Sequence, residues 1–405
     1  MKGFSDMKST PKLLMVSFDA VGDQDLELLL TLPNFSALCR RGTLVREVSS
    51  VVVSNTYPTH TTIQTGVHPR THGVFDNEIH EPFVKGENWR FESKNIKVKT
   101  LSDAAAAAGR TVCTVLYPVT GGSPSIRYNF VEIAGRRPLL QRIHYMLRFG
   151  STGFMLRSLL RYMHPGMLHN PKALDVFTAA IACNTIERKK PDLTMVHLLN
   201  ADSNKHDYGP ETPQATEALH NLDARLGDLL ASVEKTGMSD STSVIVFSDH
   251  NCCPVHTSVS PNELLKEAGL SYSDAFFHTA GGTCFLRLYN RDRLREITDF
   301  VMEFQKKPFI ARLLNPDEMY TSGADSDFIY GFSAAPGYCF GEHLKGQHGY
   351  TLDRDLYHTF YLAAGNRVPE SEVKKGGSLL NICPLAVDLL ELDPWEMEGQ
   401  NTVFN

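Results

Sequence analysis

The sequence predicts an α/β protein: a mainly parallel sheet with helices on both faces, a helical insertion and a small accessory α+β layer. Three observations carry this prediction. Short apolar runs alternate with helical stretches along most of the chain. Two regions break that rhythm, about Arg127 to His169 and about Leu270 to Gly346. Finally, 405 residues without a repeat, a low-complexity tract or a long linker point to one elaborated domain, residues 1–405, rather than two independent ones.

Taken in order, the first strand is expected at Leu13–Phe18 and the second at Val45–Val53, where Val51–Val53 complete it. Pro58 suits the first turn of a helix that Gly66 ends. A helix over Leu101–Ala108 closes at Gly109, and a strand follows at Thr111–Leu116. The insertion then brings Arg127, Arg136, Arg137, Arg142, Arg148, Arg157 and Arg161 beside Tyr145, Phe149, Phe154 and Tyr162. Two readings of it stay open. Arginine forks and aromatic faces suit recognition of a leaving group. Leu139, Leu140, Ile143, Met146 and Leu147 equally suit a helix pair that shields the sheet. Strands are expected at Leu193–Leu198 and Val244–Phe247. Between them, a helix over Thr216–Lys235 carries a core stripe at Leu219, Leu222, Leu226, Leu229 and Val233. The pieces GGTCFLRLY, FIYGFSA and GYCFG form the accessory layer.

Composition narrows the function. Apolar content of 42% and charged content of 21% are those of a globular protein, and a net charge of −6 argues against a nucleic-acid polymer as partner. The apolar stretch near the N-terminus is too short, and too broken by Asp19 and Gly22, for a signal or membrane segment, and no other window is long enough to span a bilayer. The eight cysteines are scattered without a CxxC pair, as reduced thiols of a cytoplasmic protein would be. Oligomeric state leaves no mark in the sequence.

The chemistry shows in where polar residues fall. Asp19 ends the first strand, Asp202 stands just past LTMVHLLN, and Asp249-His250 ends SVIVFSDH. Ligands of an open parallel sheet gather at the carboxyl ends of its strands. Three aspartates at one edge repel unless cations lie between them. His206, four residues after Asp202, and His348 in KGQHGY add imidazoles, and mixed Asp/His donors favour zinc, with manganese the alternative. Each residue alone reads as a helix cap or a packed side chain; the set at matching strand ends reads as a metal site. Thr56 sits at a helix N-terminus, which favours a phosphate and a lowered hydroxyl pKa, although a threonine there also serves simply as a cap.

These blocks resemble the nucleotide pyrophosphatase/phosphodiesterase branch of the alkaline phosphatase superfamily. The matching pieces are Asp19, SNTYPTHTTIQTG, HG-x-x-x-N ending at Asn77, Asp202-x-x-x-His206 followed by YGPE, SDH at Ser248–His250 and KGQHGY, in the family's order. The ending LLELDPWEMEGQN is similar as well. The resemblance implies an alkaline-phosphatase-like core and two divalent metal ions, one held by Asp19, Thr56, Asp249 and His250, the other by Asp202, His206 and His348. It implies Thr56 as nucleophile, passing through a phospho-threonine, and Asn77 as a holder of a phosphoryl oxygen. Two ions bring +4 against three aspartates, and the Thr56 alkoxide cancels the remaining +1. The implied substrate is a small-molecule phosphodiester or phosphoanhydride; a phosphonate or a phosphomonoester on the same site is the alternative. Three positions depart from the family's pattern: His68 where an aromatic residue is usual, Lys205 for a glycine, and Asn251 for a glycine. None removes a ligand, so the departures bear on substrate rather than on metal.

Overall fold

The protein is described here from a computed structural model covering residues 10–78, 81–83, 89–133, 138–163, 170–353 and 357–404. Its strands are β1 (Lys12–Phe18), β2 (Gly42–Val48), β3 (Val112–Val115), β4 (Tyr128–Phe130), β5 (Leu193–Leu198), β6 (Thr242–Phe247), β7 (Cys253–Val259), β8 (Ala275–Ala280), β9 (Thr283–Leu288), β10 (Ile310–Leu313), β11 (Phe328–Ala334), β12 (Gly337–Phe340), β13 (Gly346–Gln347), β14 (Thr359–Ala364) and β15 (Glu372–Lys375). Eight of them form the central sheet in the order β15-β2-β14-β6-β1-β5-β3-β4. Its pairings are parallel except at β14, which runs antiparallel to both β2 and β6.

Strand β1 lies between β5 and β6, and the register sets Phe18 beside Leu198 and Ser17 beside Phe247. The residues that follow these three strand ends therefore leave the sheet at one edge. Alternation along β1 divides the core: Leu14, Val16 and Phe18 face one cluster, Leu13 and Met15 the other. The first cluster is covered by the helix Pro213–Lys235, whose Leu219, Leu222, Leu226, Leu229 and Val233 are all buried. Each such side chain contributes roughly 1.5–3 kcal/mol of transfer free energy. The helix starts at Pro213 rather than at Thr216, because Thr212 caps it by accepting the Ala215 N–H and proline suits its first position. The second cluster packs under the helices Leu101–Ala107 and Ile382–Leu389.

The expected strand Val45–Val53 is corrected. β2 ends at Val48, and Val52 and Val53 leave the sheet to pack with Phe75 and Phe285 under the accessory layer. A valine run reads as strand locally, but here tertiary burial takes the β-branched side chains without a ladder. β14, which joins β2 to β6, and β15, the edge strand beside β2, were not among the expected strands; their partners lie far off in the chain, so local pattern does not reveal them. β4 likewise opens the region after Arg127, pairing with β3 before the helical hairpin Leu139–Phe149 and Thr152–Tyr162. Arg136 and Arg137 lie outside the described residues.

The accessory layer is an antiparallel sheet, β10-β11-β9-β8, beside a three-stranded one, β12-β7-β13. The helix Leu294–Phe304 covers it, Phe304 packing on Phe277 and Phe332. The loop after β13 is squeezed against β8. Gly349 has φ +80°, and a Cβ there would lie 1.9 Å from the Ala280 carbonyl oxygen, so only glycine lets this loop approach. Among the described residues no helix is long and apolar enough to cross a membrane.

Candidate active site

Asp19 follows β1, Asp249 and His250 follow β6, and Asp202 and His206 lie on the helix Asn200–Tyr208 that follows β5. The squeezed loop adds His348. They gather as two abutting groups. Asp19, Asp249 and His250 offer ligand atoms within 4.8 Å of one another, and so do Asp202, His206 and His348. In the first group His250 Nε2 lies 3.4 Å from Asp19 Oδ1 and 3.2 Å from Asp249 Oδ2. In the second, Asp202 Oδ1 lies 3.1 Å from His206 Nε2 and 3.9 Å from His348 Nε2. The groups meet where the His250 and His348 rings stand 4.1 Å apart between centroids. Thr56 opens the helix Thr56–Thr65, and its Oγ1 is 3.4 Å from His250 Nε2. Asn77 Oδ1 accepts the Tyr57 N–H at 2.7 Å, which leaves the Asn77 amide group as a donor at the same helix end.

The donor set fits divalent cations. Among the described residues Asp19 Oδ1 and Asp249 Oδ2 are buried without a hydrogen-bond partner, a costly arrangement for anionic oxygens unless positive charge faces them. Electrostatics agree. Burial, then Asp202, push the Asp19 carboxyl well above the usual range, and burial, then Asp19, do the same to Asp249. At Asp202 burial works upward too, but the adjacent His206 overrides it and holds the carboxyl low. Burial opposes the charge on His206, yet Asp202 keeps its pKa at about 9. His348 is pushed down to about 4 by burial, then by His206. Carboxyls that share protons when alone become ligands when a cation takes the protons' place.

The surrounding hydrogen bonds orient the imidazoles. His206 Nδ1 donates to the Gly346 carbonyl at 2.8 Å, freeing Nε2. His348 Nδ1 donates to Asn55 Oδ1 at 2.6 Å, Asn55 Nδ2 donates to Asp76 Oδ1 at 2.6 Å, and Asp76 Oδ2 meets His278 Nε2 at 2.7 Å. Behind the first group, His197 Nε2 holds Asp19 Oδ2 at 2.9 Å and His60 bridges the Thr56 carbonyl and Ser17. Asp175 accepts the N–H groups of Leu199 and Asn200, which fixes the start of the helix bearing Asp202 and His206.

Residues 13–322 match the model of the family described as type I phosphodiesterase / nucleotide pyrophosphatase. The chain belongs to this family. Human ectonucleotide pyrophosphatase/phosphodiesterase family member 7 is 27% identical over 252 residues, 61% of this chain and 49% of that protein. Venom phosphodiesterase of Naja atra is 23% identical over 419 aligned positions, covering 97% of this chain and 46% of that protein. The chain thus spans about half the length of the curated relatives it matches. The solved structure of murine ectonucleotide pyrophosphatase/phosphodiesterase 5 superposes with a TM-score of 0.73 at 18% identity, covering 96% of this chain and 97% of that one, which establishes the alkaline-phosphatase-like fold.

The departures from the family pattern have structural partners. Lys205 is buried, and its Nζ donates to the Ala20 carbonyl at 2.8 Å and to Asp25 at 2.5 Å. It ties the helix bearing Asp202 to the turn bearing Asp19. Asn251 exchanges two amide hydrogen bonds with Gln24. His68 pairs with Glu398, to which Thr71 also donates, so the terminal segment is fastened over the end of the Thr56 helix.

Sequence reasoning missed the orienting residues. His197, a histidine inside a buried parallel strand, and His60, one helical turn after Thr56, were findable as polar residues in apolar places. Asn55 and Asp76 stand beside Thr56 and Asn77. His278, in an accessory strand, carries no local signal. Glu132 was missed too. It follows β4, its Oε2 is buried without a partner among the described residues, and burial pushes it up to about 7 against the pull of His197.

Proposed function

We propose that this chain is a two-metal phosphodiesterase or nucleotide pyrophosphatase in which Thr56 is the nucleophile. The observation that carries the reading is Thr56 Oγ1 at a helix N-terminus, 3.4 Å from His250 Nε2, where two carboxylate–imidazole groups abut. Asp19, Asp249 and His250 with Thr56, and Asp202, His206 and His348, are the residues that would hold two divalent ions, with zinc favoured by the mixed donors. When bound, such ions lower the pKa of the attacking hydroxyl and neutralise charge on the leaving oxygen.

The chain's own residues perform the rest. Thr56 Oγ1 forms a bond to phosphorus as the bond to the leaving oxygen breaks, giving a phospho-threonine that water hydrolyses to regenerate the hydroxyl. The Asn77 amide donates to a non-bridging phosphoryl oxygen as charge develops on it. His60 and His197 hold Thr56 and Asp19 in place. A diester is favoured over a monoester. A dianion calls for a further cation, while Arg70 is stacked on Tyr320 at 4.5 Å and Lys205 is taken by Asp25.

The eight free cysteines support a reducing, cytoplasmic setting. The test is hydrolysis of a nucleotide diester, a monoester and a phosphonate by metal-loaded protein, side by side. The diester or anhydride should be turned over best; a phosphonate or monoester preferred by tenfold would overturn the substrate class.

A further inference from the structure

The hairpin Leu139–Phe149 and Thr152–Tyr162 is apolar on two sides. Its inner side packs into the core through Met146, Phe149, Phe154, Met155 and Leu159. A helix seated this way normally turns a polar face to water. Here the outer side carries Leu140, Ile143, Leu156, Leu160 and Met163, with Leu140 81% and Leu160 88% exposed. They are five of the fourteen large apolar side chains that stand exposed among the described residues, four within one hairpin and Met163 directly after it, where scattered single residues would be unremarkable.

Charge says what covers this face. No Asp or Glu occurs between Glu132 and Asp175, in a chain with 46 acidic residues and a net charge of −6. Across the same span lie Arg136, Arg137, Arg142, Arg148, Arg157 and Arg161. Arg157 and Arg161, each next in sequence to one of the exposed leucines Leu156 and Leu160, are exposed, and Arg148 is exposed on the partner helix. Exposed leucines one helical turn apart, interleaved with arginines and free of acids, match a surface whose interior is apolar and whose headgroups are anionic. A second copy is disfavoured, because a two-fold contact would set Arg157 and Arg161 against like charges.

We infer that the hairpin Leu139–Tyr162 seats this chain on an anionic lipid bilayer, with Leu140, Ile143, Leu156 and Leu160 entering the interface and the arginines meeting the headgroups. The inference does not depend on the phosphodiesterase reading.

The test is flotation of the whole chain with vesicles of phosphatidylcholine alone and with one quarter phosphatidylglycerol, at 0.1 and 0.5 M salt. Binding is expected only with phosphatidylglycerol, and weaker at high salt. Arg157→Gln with Arg161→Gln should lower the partition coefficient by roughly tenfold or more, at about 1 kcal/mol per arginine. Leu156→Glu with Leu160→Glu should abolish binding at an unchanged Tm. Hydrogen exchange of the unaltered chain should show vesicle protection confined to the hairpin, a readout that needs no variant. Equal binding to both vesicles, no binding to either, or protection elsewhere would overturn the inference. So would light scattering that finds a dimer split by the Leu156→Glu, Leu160→Glu pair, which would assign the face to a second copy or, if an acidic protein competes with vesicles for it in the unaltered chain, to that partner.

Discussion

Replacing Asn55 by alanine is expected to damage one metal group while sparing the other. Asn55 is buried and makes two contacts of 2.6 Å, accepting from His348 Nδ1 and donating to Asp76 Oδ1. Asp76 keeps two donors without it, the Asn77 N–H at 2.7 Å and His278 Nε2 at 2.7 Å. The group left orphaned is therefore the His348 ring N–H, which is itself buried. An unsatisfied buried donor costs about 1–3 kcal/mol, and the truncation adds a small cavity, so roughly 3 kcal/mol of stability should go. Loss of the orienting partner should weaken the ion held by Asp202, His206 and His348 by about 10- to 100-fold. Asn55→Asp tests the same link with the opposite failure. Two carboxylate oxygens 2.6 Å apart repel by roughly 6 kcal/mol at an effective dielectric of 20, so that variant should recover as pH falls and one of them takes a proton. The assay is competition with a chromophoric chelator while two ions per chain are titrated in, with thermal unfolding followed in parallel. If Asn55→Ala holds both ions with unaltered affinity, His348 is not a ligand oriented through Asn55 and the reasoning fails.

Thr56→Ala should keep the fold yet lower kcat by at least about 10³-fold, while Thr56→Ser retains measurable turnover; near-normal kcat in the alanine variant would remove Thr56 from the chemistry. Metal analysis of chain purified without chelator should give two divalent ions, and activity lost in excess chelator should return with zinc; full activity after verified metal removal would exclude the two-metal scheme. Lys205→Met should cost about 3 kcal/mol, the lower end for breaking a buried ion pair because Asp25 is partly open to water, and an unchanged Tm would show that the tie to Ala20 and Asp25 contributes nothing. Burial pushes Asp175 up to about 7 although the Leu199 and Asn200 N–H groups pull it down. The folded chain thus holds a proton that an unfolded aspartate, with a pKa of about 3.9, releases. That contribution is complete below about pH 4 and is lost as pH rises through 7, so the Tm of Asp175→Asn minus that of the unaltered chain should climb between pH 5 and 7; a difference flat in pH would refute this.

Much of this molecule was written locally. The runs Leu13–Phe18 and Leu193–Leu198 are mainly apolar, broken only by Ser17, Thr194 and His197, and such a run admits few structures besides a buried strand, so β1 and β5 were legible almost to the residue. The polar residues that end those runs announced an edge where charge collects, and the ordered blocks around Thr56, Asn77, Asp202, Asp249 and His348 named the candidate site before any coordinate. Local pattern failed where a residue's role depends on what lies across the fold. Val52 and Val53 look like strand and are not, because the accessory layer supplies their burial. β14 was invisible because its partners are remote. The same holds for the links Asn55–Asp76–His278 and Lys205–Asp25: each joins segments whose proximity exists only after the sheet has formed. The sequence by itself determined which side chains can bind a cation, since donor chemistry belongs to the residue. Only the tertiary structure decided which imidazole nitrogen is left free to meet a cation, since a hydrogen-bond partner on another element sets the tautomer.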